Sequence, residues 1–255
     1  MGALHAGHLS LIERSKKQCD VTVVSIFVNP TQFSPTEDLD KYPRDLENDK
    51  KLLTNAGADY VFIPKEKQIY PDNFQTYVNV EEITKILEGK FRPTHFRGVT
   101  TIVNILFNCV RPDFAFFGQK DAQQVAVVKQ MVSDLKMGIN IVVCPIVREA
   151  DGLAMSSRNA YLSSKEREKA LTLHNALFYG RKLIEGREMN SQIVLDNMKA
   201  IISKEKSIEL DYVAIVNAYG FRKVDLIEGG NEYYILIAAK IGNTRLIDNE
   251  LVKLV

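Results

Sequence analysis

The sequence predicts an α/β fold, a doubly wound parallel sheet over residues 1–150 followed by a smaller α+β domain over residues 151–255. Three observations carry that reading. Short β-rich runs alternate with amphipathic helical spacings through the first 150 residues, the pattern of right-handed βαβ crossovers. After about residue 161 the texture changes to two long charged helical stretches followed by two strand-like runs, as in an α+β domain. A chain of 255 residues, 45% hydrophobic and 25% charged, is long enough for one large or two modest globular domains.

Met1-Gly2-Ala3-Leu4-His5 opens the chain as a loop ahead of a helical run carrying Leu9, Leu11 and Ile12. In a doubly wound sheet such a loop follows the central strand. Val21-Thr22-Val23-Val24-Ser25-Ile26-Phe27-Val28 is a near-continuous apolar run, the type buried on both faces of a parallel sheet. The spacing predicts a helix over 45–56, with Leu46, Leu52 and Leu53 on one side and Gly57 stopping it. Tyr60-Val61-Phe62-Ile63 is a second strand, ended by Pro64. Over 99–110, Val99, Ile102, Val103, Leu106, Phe107 and Val110 share a helical face. Phe114-Ala115-Phe116-Phe117 is a third strand, 122–135 an amphipathic helix, and Ile139-Asn140-Ile141-Val142-Val143 a fourth strand closed by Pro145. Helices are expected over 165–186 and 191–204, and strands over 210–216 and 233–239, with the turn signal Gly229-Gly230-Asn231 before the last. The sequence has no internal repeat and no low-complexity segment.

Charge excludes one large class. Lys and Arg number 33 against 32 Asp and Glu, a net charge of +1, so no broad nucleic-acid surface is expected; an anionic ligand should be small and held by a few placed groups. Cys19, Cys109 and Cys144 form no CxxC pair and no zinc spacing, and an odd count without a framework suits a reducing compartment. No apolar run is long enough to span a bilayer, and the first residues lack the basic and apolar regions of a signal peptide, so no membrane partner is expected and the expected location is the cytoplasm.

Four clusters could carry chemistry. His5-Ala6-Gly7-His8 stands on a first helical turn, where two histidines three apart face the same way, Gly7 permits close approach, and free N–H groups with the positive dipole end favour phosphate. The alternatives are a metal pair, for which no nearby Cys, Asp or Glu completes a ligand set, and two cap histidines at the surface. Ala154-Met155-Ser156-Ser157-Arg158-Asn159 offers two hydroxyls and a guanidinium that can surround a polyphosphate, although Ser-Ser-Arg is also ordinary loop composition. Phe117-Gly118-Gln119-Lys120-Asp121-Ala122-Gln123-Gln124 lies where a strand yields to a helix, the place where open α/β sheets bind ligands. There Lys120 can meet a phosphate, Gln124 lies one turn further in, and Asp121 can equally be a helix cap. Asn29-Pro30-Thr31-Gln32, past another strand end, supplies neutral hydrogen bonders of the kind that read hydroxyls and carboxylates; turn chemistry at Asn-Pro is the alternative for Asn29.

The His-x-Gly-His and Met-Ser-Ser-Arg stretches on an α/β frame resemble the signature pair of the HxGH nucleotidyltransferase and class I synthetase superfamily. All four clusters together resemble the pantoate-beta-alanine ligase (pantothenate synthetase) family. The resemblance extends through Tyr42-Pro43-Arg44-Asp45-Leu46, through 87–99 with its Arg92-Pro93-Thr94-His95-Phe96-Arg97-Gly98 run, through 146–159, and to Arg245-Leu246-Ile247-Asp248-Asn249. The family pattern has a strand-bearing segment ahead of the position of Met1, usually Glu where Gln119 stands, and usually Gly where Thr94 stands.

The resemblance implies a Rossmann-like domain binding nucleotide and pantoate over 1–150, and a C-terminal lid domain over 151–255. It implies ATP-dependent condensation of pantoate with β-alanine through a pantoyl-adenylate, releasing AMP and pyrophosphate, with Mg²⁺ and a homodimer. His5, His8, Lys120, Ser156, Ser157 and Arg158 become the catalytic set. Met1, His8, Gly118, Lys120, Asp121, Val147, Met155, Ser156, Ser157 and Arg158 would bind ATP, and Gln32, Gln124, Met1 and Asn29 would bind pantoate. The metal would be held chiefly by phosphate oxygens, with Asp49 or Asp121 as the candidate helper. Residues 29–42 are the expected lid, since an acyl-adenylate must be shielded from water. Two other readings remain: a nucleotidyltransferase of the same superfamily acting on a phosphate ester, and a non-catalytic nucleotide-binding module.

Overall fold

The computed structural model describes residues 2–35 and 37–254. The chain divides into two compact units: Met1–Gly118 with Gln123–Pro145, and Gln119–Ala122 with Ile146–Val255.

The first unit runs α1 (Ala6–Lys16), β1 (Val23–Ser25), α2 (Leu46–Asn55), β2 (Tyr60–Phe62), α3 (Glu66–Ile69), α4 (Glu88–Phe91), α5 (His95–Val110), β3 (Phe114–Gly118), α6 (Ala122–Asp134) and β4 (Asn140–Cys144). All four strands run in parallel pairs: Val23 lies opposite Tyr60, and Phe114 opposite Asn140. The pairs form two separate two-stranded sheets, and the described residues contain no strand bonded to both.

The apolar pattern places the larger core of this unit correctly. Phe96, Val99, Ile102 and Val103 of α5 meet Val127, Val128 and Met131 of α6. The 21–28 run departs from expectation. Only three of its residues form a strand, and Val21 is 55% exposed. Ile26 joins Ile12 of α1 and Leu53 of α2 in a small cluster and Phe27 packs against the α5–α6 core, while Val21, Val23 and Ser25 are exposed. Asp45 caps α2 by accepting from the N–H of Asn48, and Gly57 follows its end with φ of +76°, as the stop signal predicts.

The second unit holds α7 (Ser164–Glu185), α8 (Ser191–Ile202), β5 (Ile208–Asn217), β6 (Glu232–Ile241) and β7 (Thr244–Lys253). Ser163 and Glu166 start α7 with a reciprocal capping box. The three strands form an antiparallel sheet in the order β5-β6-β7. Leu173, Leu177 and Ile184 of α7 and Val194 and Met198 of α8 pack on Ile235 and Ile237 of β6. β7 is the one strand not among the predicted elements; it pairs with β6 through Ile241 and Thr244, across the two residues Gly242 and Asn243. At the Leu210/Tyr212 bulge of β5, Asp211 accepts from Arg245 Nε at 2.7 Å.

One close approach fixes where a site-bearing turn sits. A Cβ on Gly98 of α5 would lie 2.4 Å from the carbonyl oxygen of Thr31. Helix and turn touch backbone to backbone, and no rotamer could relieve an added methyl. Gly98→Ala is therefore expected to destabilise the protein by about 1–3 kcal/mol, the usual cost of overpacking. Urea denaturation would show it as a lower midpoint with an unchanged slope; an unchanged midpoint would mean that the turn is free to move.

Candidate active site

The opening loop of the first unit is held from α2. Asp49 is 1% exposed, and its two carboxylate oxygens accept from the N–H of Ala3 at 3.0 Å and of Leu4 at 2.7 Å. Both oxygens are thus engaged with backbone, which makes Asp49 an anchor of the loop. Met1, expected in both substrate sites, lies outside the described residues.

That anchoring delivers His5 to the N-cap of α1. His5 Nδ1 accepts from the N–H of Gly7 at 3.2 Å, and His8 Nδ1 accepts from the N–H of His5 at 3.3 Å. The ring centroids are 4.0 Å apart. Because both Nδ1 atoms act as acceptors, the proton of each neutral ring is on Nε2. The expected pair therefore exists: two adjacent Nε2–H donors at a helix N-terminus with no acidic residue in its first turn, an arrangement suited to an anion.

The turn carrying Asn29 and Gln32 is clamped on three sides. Asn29, 1% exposed, donates from Nδ2 to the carbonyl of Gly98 at 3.1 Å, while its Oδ1 accepts from the hydroxyls of Thr31 and Tyr70, each at 2.9 Å. Burial holds the Tyr70 phenol above its ordinary pKa, so it remains a donor. The carbonyl of Gln32 accepts from His95 Nδ1 at 3.0 Å and from Arg92 Nη2 at 3.3 Å. Arg92 also pairs with Glu37 at 2.7 Å, inside the 29–42 stretch. A carbonyl only accepts and a guanidinium only donates, so His95 must carry its proton on Nδ1 and accept from Arg92 Nη1 at 3.3 Å on Nε2. A second proton would meet that cation. Burial, reinforced by Arg92, pushes the His95 pKa down to about 4.

Three side-chain amides of the first unit differ in one respect. Gln123, 4% exposed, accepts from the N–H of Glu88 and donates to the carbonyls of Ile83 and Ile86. Among the described residues the side-chain amides of Gln32 and Gln124 have no hydrogen-bond partner. Gln32 is nonetheless only 8% exposed. Its amide is not among the fully buried unpartnered groups of the described residues, which belong to Asn159, His174, Arg181 and Ser191, so it stays accessible to a ligand. Gly118, at the end of β3, has open space where a Cβ would stand.

The remaining expected residues belong to the second unit. Lys120 and Asp121 form a single 3₁₀ turn with Gln119. The N–H of Met155 donates to the carbonyl of Val147 at 3.0 Å and Arg148 bridges to Ala154, so Val147 and Met155, two of the residues expected to bind ATP, are neighbours in a small hairpin. Ser156 then caps the 3₁₀ turn of Ser157–Tyr161, its Oγ accepting from the N–H of Arg158 at 3.3 Å. Asn159 ties that turn back, donating to Glu149 Oε1 at 2.8 Å and to the carbonyl of Ala154 at 3.0 Å. Gln119 bonds through Nε2 to Asn249 Oδ1 at 3.2 Å.

Arg92, His95, Tyr70, Arg148 and Asn249 carry these contacts without a role that the sequence marks individually, and Asp49, expected only as a possible metal helper, anchors the opening loop. Arg92 and His95 stand three apart, a spacing that hints at a pair, but nothing local reveals that their partner is the carbonyl of Gln32.

The pantoate-beta-alanine ligase family model matches residues 1–251. The pantothenate synthetase of Acetivibrio thermocellus is 55% identical over 253 residues, 99% of this chain and 89% of the relative. That of Caldicellulosiruptor saccharolyticus is 54% identical with the same coverage. Among solved structures, pantothenate synthetase from Thermus thermophilus matches with a TM-score of 0.93 at 43% identity, covering 98% of this chain and 90% of that one. Pantoate-beta-alanine ligase from Francisella tularensis, in complex with beta-gamma ATP and beta-alanine, matches with a TM-score of 0.78 at 37% identity, covering 98% of this chain and 87% of that one.

The depressed His95 pKa makes stability depend on pH. As pH falls below 6.5, the unfolded chain takes up the proton first, so stability declines until about pH 4, below which both states are protonated. The total is on the order of 1–3 kcal/mol. Denaturation midpoints of the wild type and of His95→Asn between pH 4 and pH 7 test this: the variant should lose that part of the slope, and parallel curves would disprove the assignment.

Proposed function

This chain belongs to the pantoate-beta-alanine ligase family, and from that premise we propose how its residues perform the ATP-dependent joining of pantoate to β-alanine. The observation that carries the assignment is the histidine pair, whose two Nδ1 atoms are engaged with backbone so that both Nε2–H groups are presented at a helix N-terminus.

A carboxylate is a poor electrophile, so pantoate is activated first. Its carboxylate attacks the α-phosphorus of ATP, pyrophosphate leaves, and pantoyl-adenylate forms. The amine of β-alanine then attacks the acyl carbon and AMP leaves with the bond electrons. No covalent enzyme intermediate is required. The protein's work is positioning and stabilisation of charge at the phosphoryl oxygens. His5 and His8 donate to those oxygens as negative charge builds. Lys120, Ser156, Ser157 and Arg158 hold the triphosphate, and Gly118, Asp121, Val147 and Met155 line the adenosine; the space beside Gly118 supports that placement. Gln32 and Gln124 read the pantoate hydroxyls and carboxylate with their unbonded amides. Asn29, whose amide is bonded to Gly98, Thr31 and Tyr70, contributes by shaping the turn.

Mg²⁺ fits as an ion carried by the nucleotide. Among the described residues no three His, Cys, Asp or Glu side chains cluster, and Asp49 is occupied by amides, so phosphate oxygens would hold the ion with Asp121 as the carboxylate left to assist. When bound, it neutralises phosphate charge. We assign 1–150 to nucleotide and pantoate binding and 151–255 to a lid, with 29–42 as a second closing element whose movement would break the Arg92–Glu37 pair. Cys19, Cys109 and Cys144 are free thiols, and among the described residues no helix is long and apolar enough to cross a membrane, which supports a cytoplasmic enzyme. The family resemblance supports a homodimer. Two neutral amides suit a hydroxy acid better than the phosphate ester of the nucleotidyltransferase alternative.

Pantoate-dependent ATP–pyrophosphate exchange isolates the first half-reaction. His5→Ala or His8→Ala should lower its turnover by about 10²–10³, with a smaller effect on ATP binding. Equal, modest losses in both would point to capping alone. Gln32→Ala and Gln124→Ala should instead raise the pantoate KM about tenfold or more, with ATP binding kept. Unchanged pantoate dependence in both would remove them from the site.

A further inference from the structure

Lys120 sits on a 3₁₀ turn of three residues, too short to hold itself by its own backbone hydrogen bonds. Its conformation is set from β7. Asn249, 1% exposed, donates from Nδ2 to the carbonyl of Gln119 and to the carbonyl of Lys120, both at 3.0 Å. Those carbonyls belong to the two peptide planes that flank the Lys120 Cα. Fixing both planes fixes φ and ψ of Lys120, and with them the direction in which its side chain leaves the backbone. The amide can be oriented in only one way, because two carbonyls demand its donor end, and the acceptor end then meets Gln119 Nε2 at 3.2 Å.

Asn249 is itself held. Its N–H donates to Asp248 Oδ1 at 2.7 Å, and its carbonyl accepts from Arg148 Nη2 at 3.2 Å. Arg148 grips Asp248 through both terminal nitrogens, at 2.7 and 3.1 Å, and reaches Glu250 at 3.1 Å. Arg148 also belongs to the hairpin that carries Val147 and Met155. The turn of Lys120 and that hairpin are therefore referenced to the same three residues of one strand.

We propose that Asn249 is a positioning residue for Lys120, presenting its ammonium to the ATP triphosphate, with Arg148 and Asp248 fixing Asn249 for that task. The inference rests on the reading that Lys120 holds the triphosphate. It is tested in the intact chain by pantoate-dependent ATP–pyrophosphate exchange on Asn249→Ala, Lys120→Ala and the double variant, with thermal melts alongside. Asn249→Ala should raise the ATP KM about tenfold or more while the pantoate KM stays near the wild-type value. The double variant should be no worse than Lys120→Ala alone, since a residue that acts through Lys120 has nothing left to position. If the two single effects multiply, or if Asn249→Ala raises both KM values alike, Asn249 is merely structural and the proposal falls. If Lys120→Ala leaves the ATP KM unchanged, the reading of Lys120 fails first and takes the proposal with it. Should Asn249→Ala not fold, Gln119→Leu removes the partner that orients the Asn249 amide and is expected to raise the ATP KM several-fold; an unchanged ATP KM there overturns the proposal equally.

Discussion

Three of the segments that carry candidate site residues, the loop ahead of His5, the turn of Gln32 and the turn of Lys120, are irregular backbone, which must find partners for its N–H and C=O groups outside any helix or sheet ladder. Side chains from the regular elements supply them. Asp49 of α2 takes the two amides ahead of His5. Asn29 and the α5 N-terminus hold the turn of Gln32. Asn249 of β7 takes the two carbonyls around Lys120. Where such a partner is buried its removal is costly, because the orphaned backbone group is left without water. The anchors are therefore polar, enclosed and distant in sequence from what they hold.

That separation decides how much of the molecule is readable from the chain alone. The large core helices are legible because α5 and α6 bury one face at helical spacing. The Asp45 cap and the Gly57 stop are legible because capping is local chemistry. Strand content is harder. The 21–28 run is apolar enough to suggest burial on both faces, yet Val21, Val23 and Ser25 are exposed, and apolar composition records nothing about what lies opposite. β7 escapes the sequence pattern although Gly242-Asn243 is a two-residue hairpin signal, because Asp248, Asn249 and Glu250 interrupt its alternation. Those interruptions are the residues that Arg148, Gln119 and Lys120 require.

The candidate site shows the same division. His5 and His8 announce themselves as two histidines on one turn beside a glycine. Their tautomer does not: it follows from backbone amides donating to both Nδ1 atoms, which only the folded cap arranges. Arg92 and His95 are visible as residue types, but their target, the carbonyl of Gln32, lies some sixty positions away. In sequence Gln119 is only a departure from the family pattern, beside the residues given chemistry. In the fold it donates to Asn249, the side chain that fixes the turn of Lys120.

Three glutamines make the final distinction. Gln32, Gln123 and Gln124 are chemically identical, and it is position and family resemblance, not residue chemistry, that separate them in the sequence. In the fold, Gln123 satisfies three backbone groups around α4 and so belongs to the scaffold. The amides of Gln32 and Gln124 satisfy none among the described residues. An amide that bonds to nothing in the protein adds nothing to its hydrogen-bonded scaffold, so a purely structural position has no need of it. On the proposed reading, a neutral amide there suits a hydroxylated acid: it offers donor and acceptor together, and it adds no charge beside a carboxylate that must attack phosphorus. A lysine in either place would bind pantoate's carboxylate more strongly and, by stabilising its charge, make it a poorer nucleophile. On the proposed roles, the cations serve the phosphates and neutral hydrogen bonders serve the attacking acid, a division that needs no large excess of positive charge and agrees with a net charge of only +1.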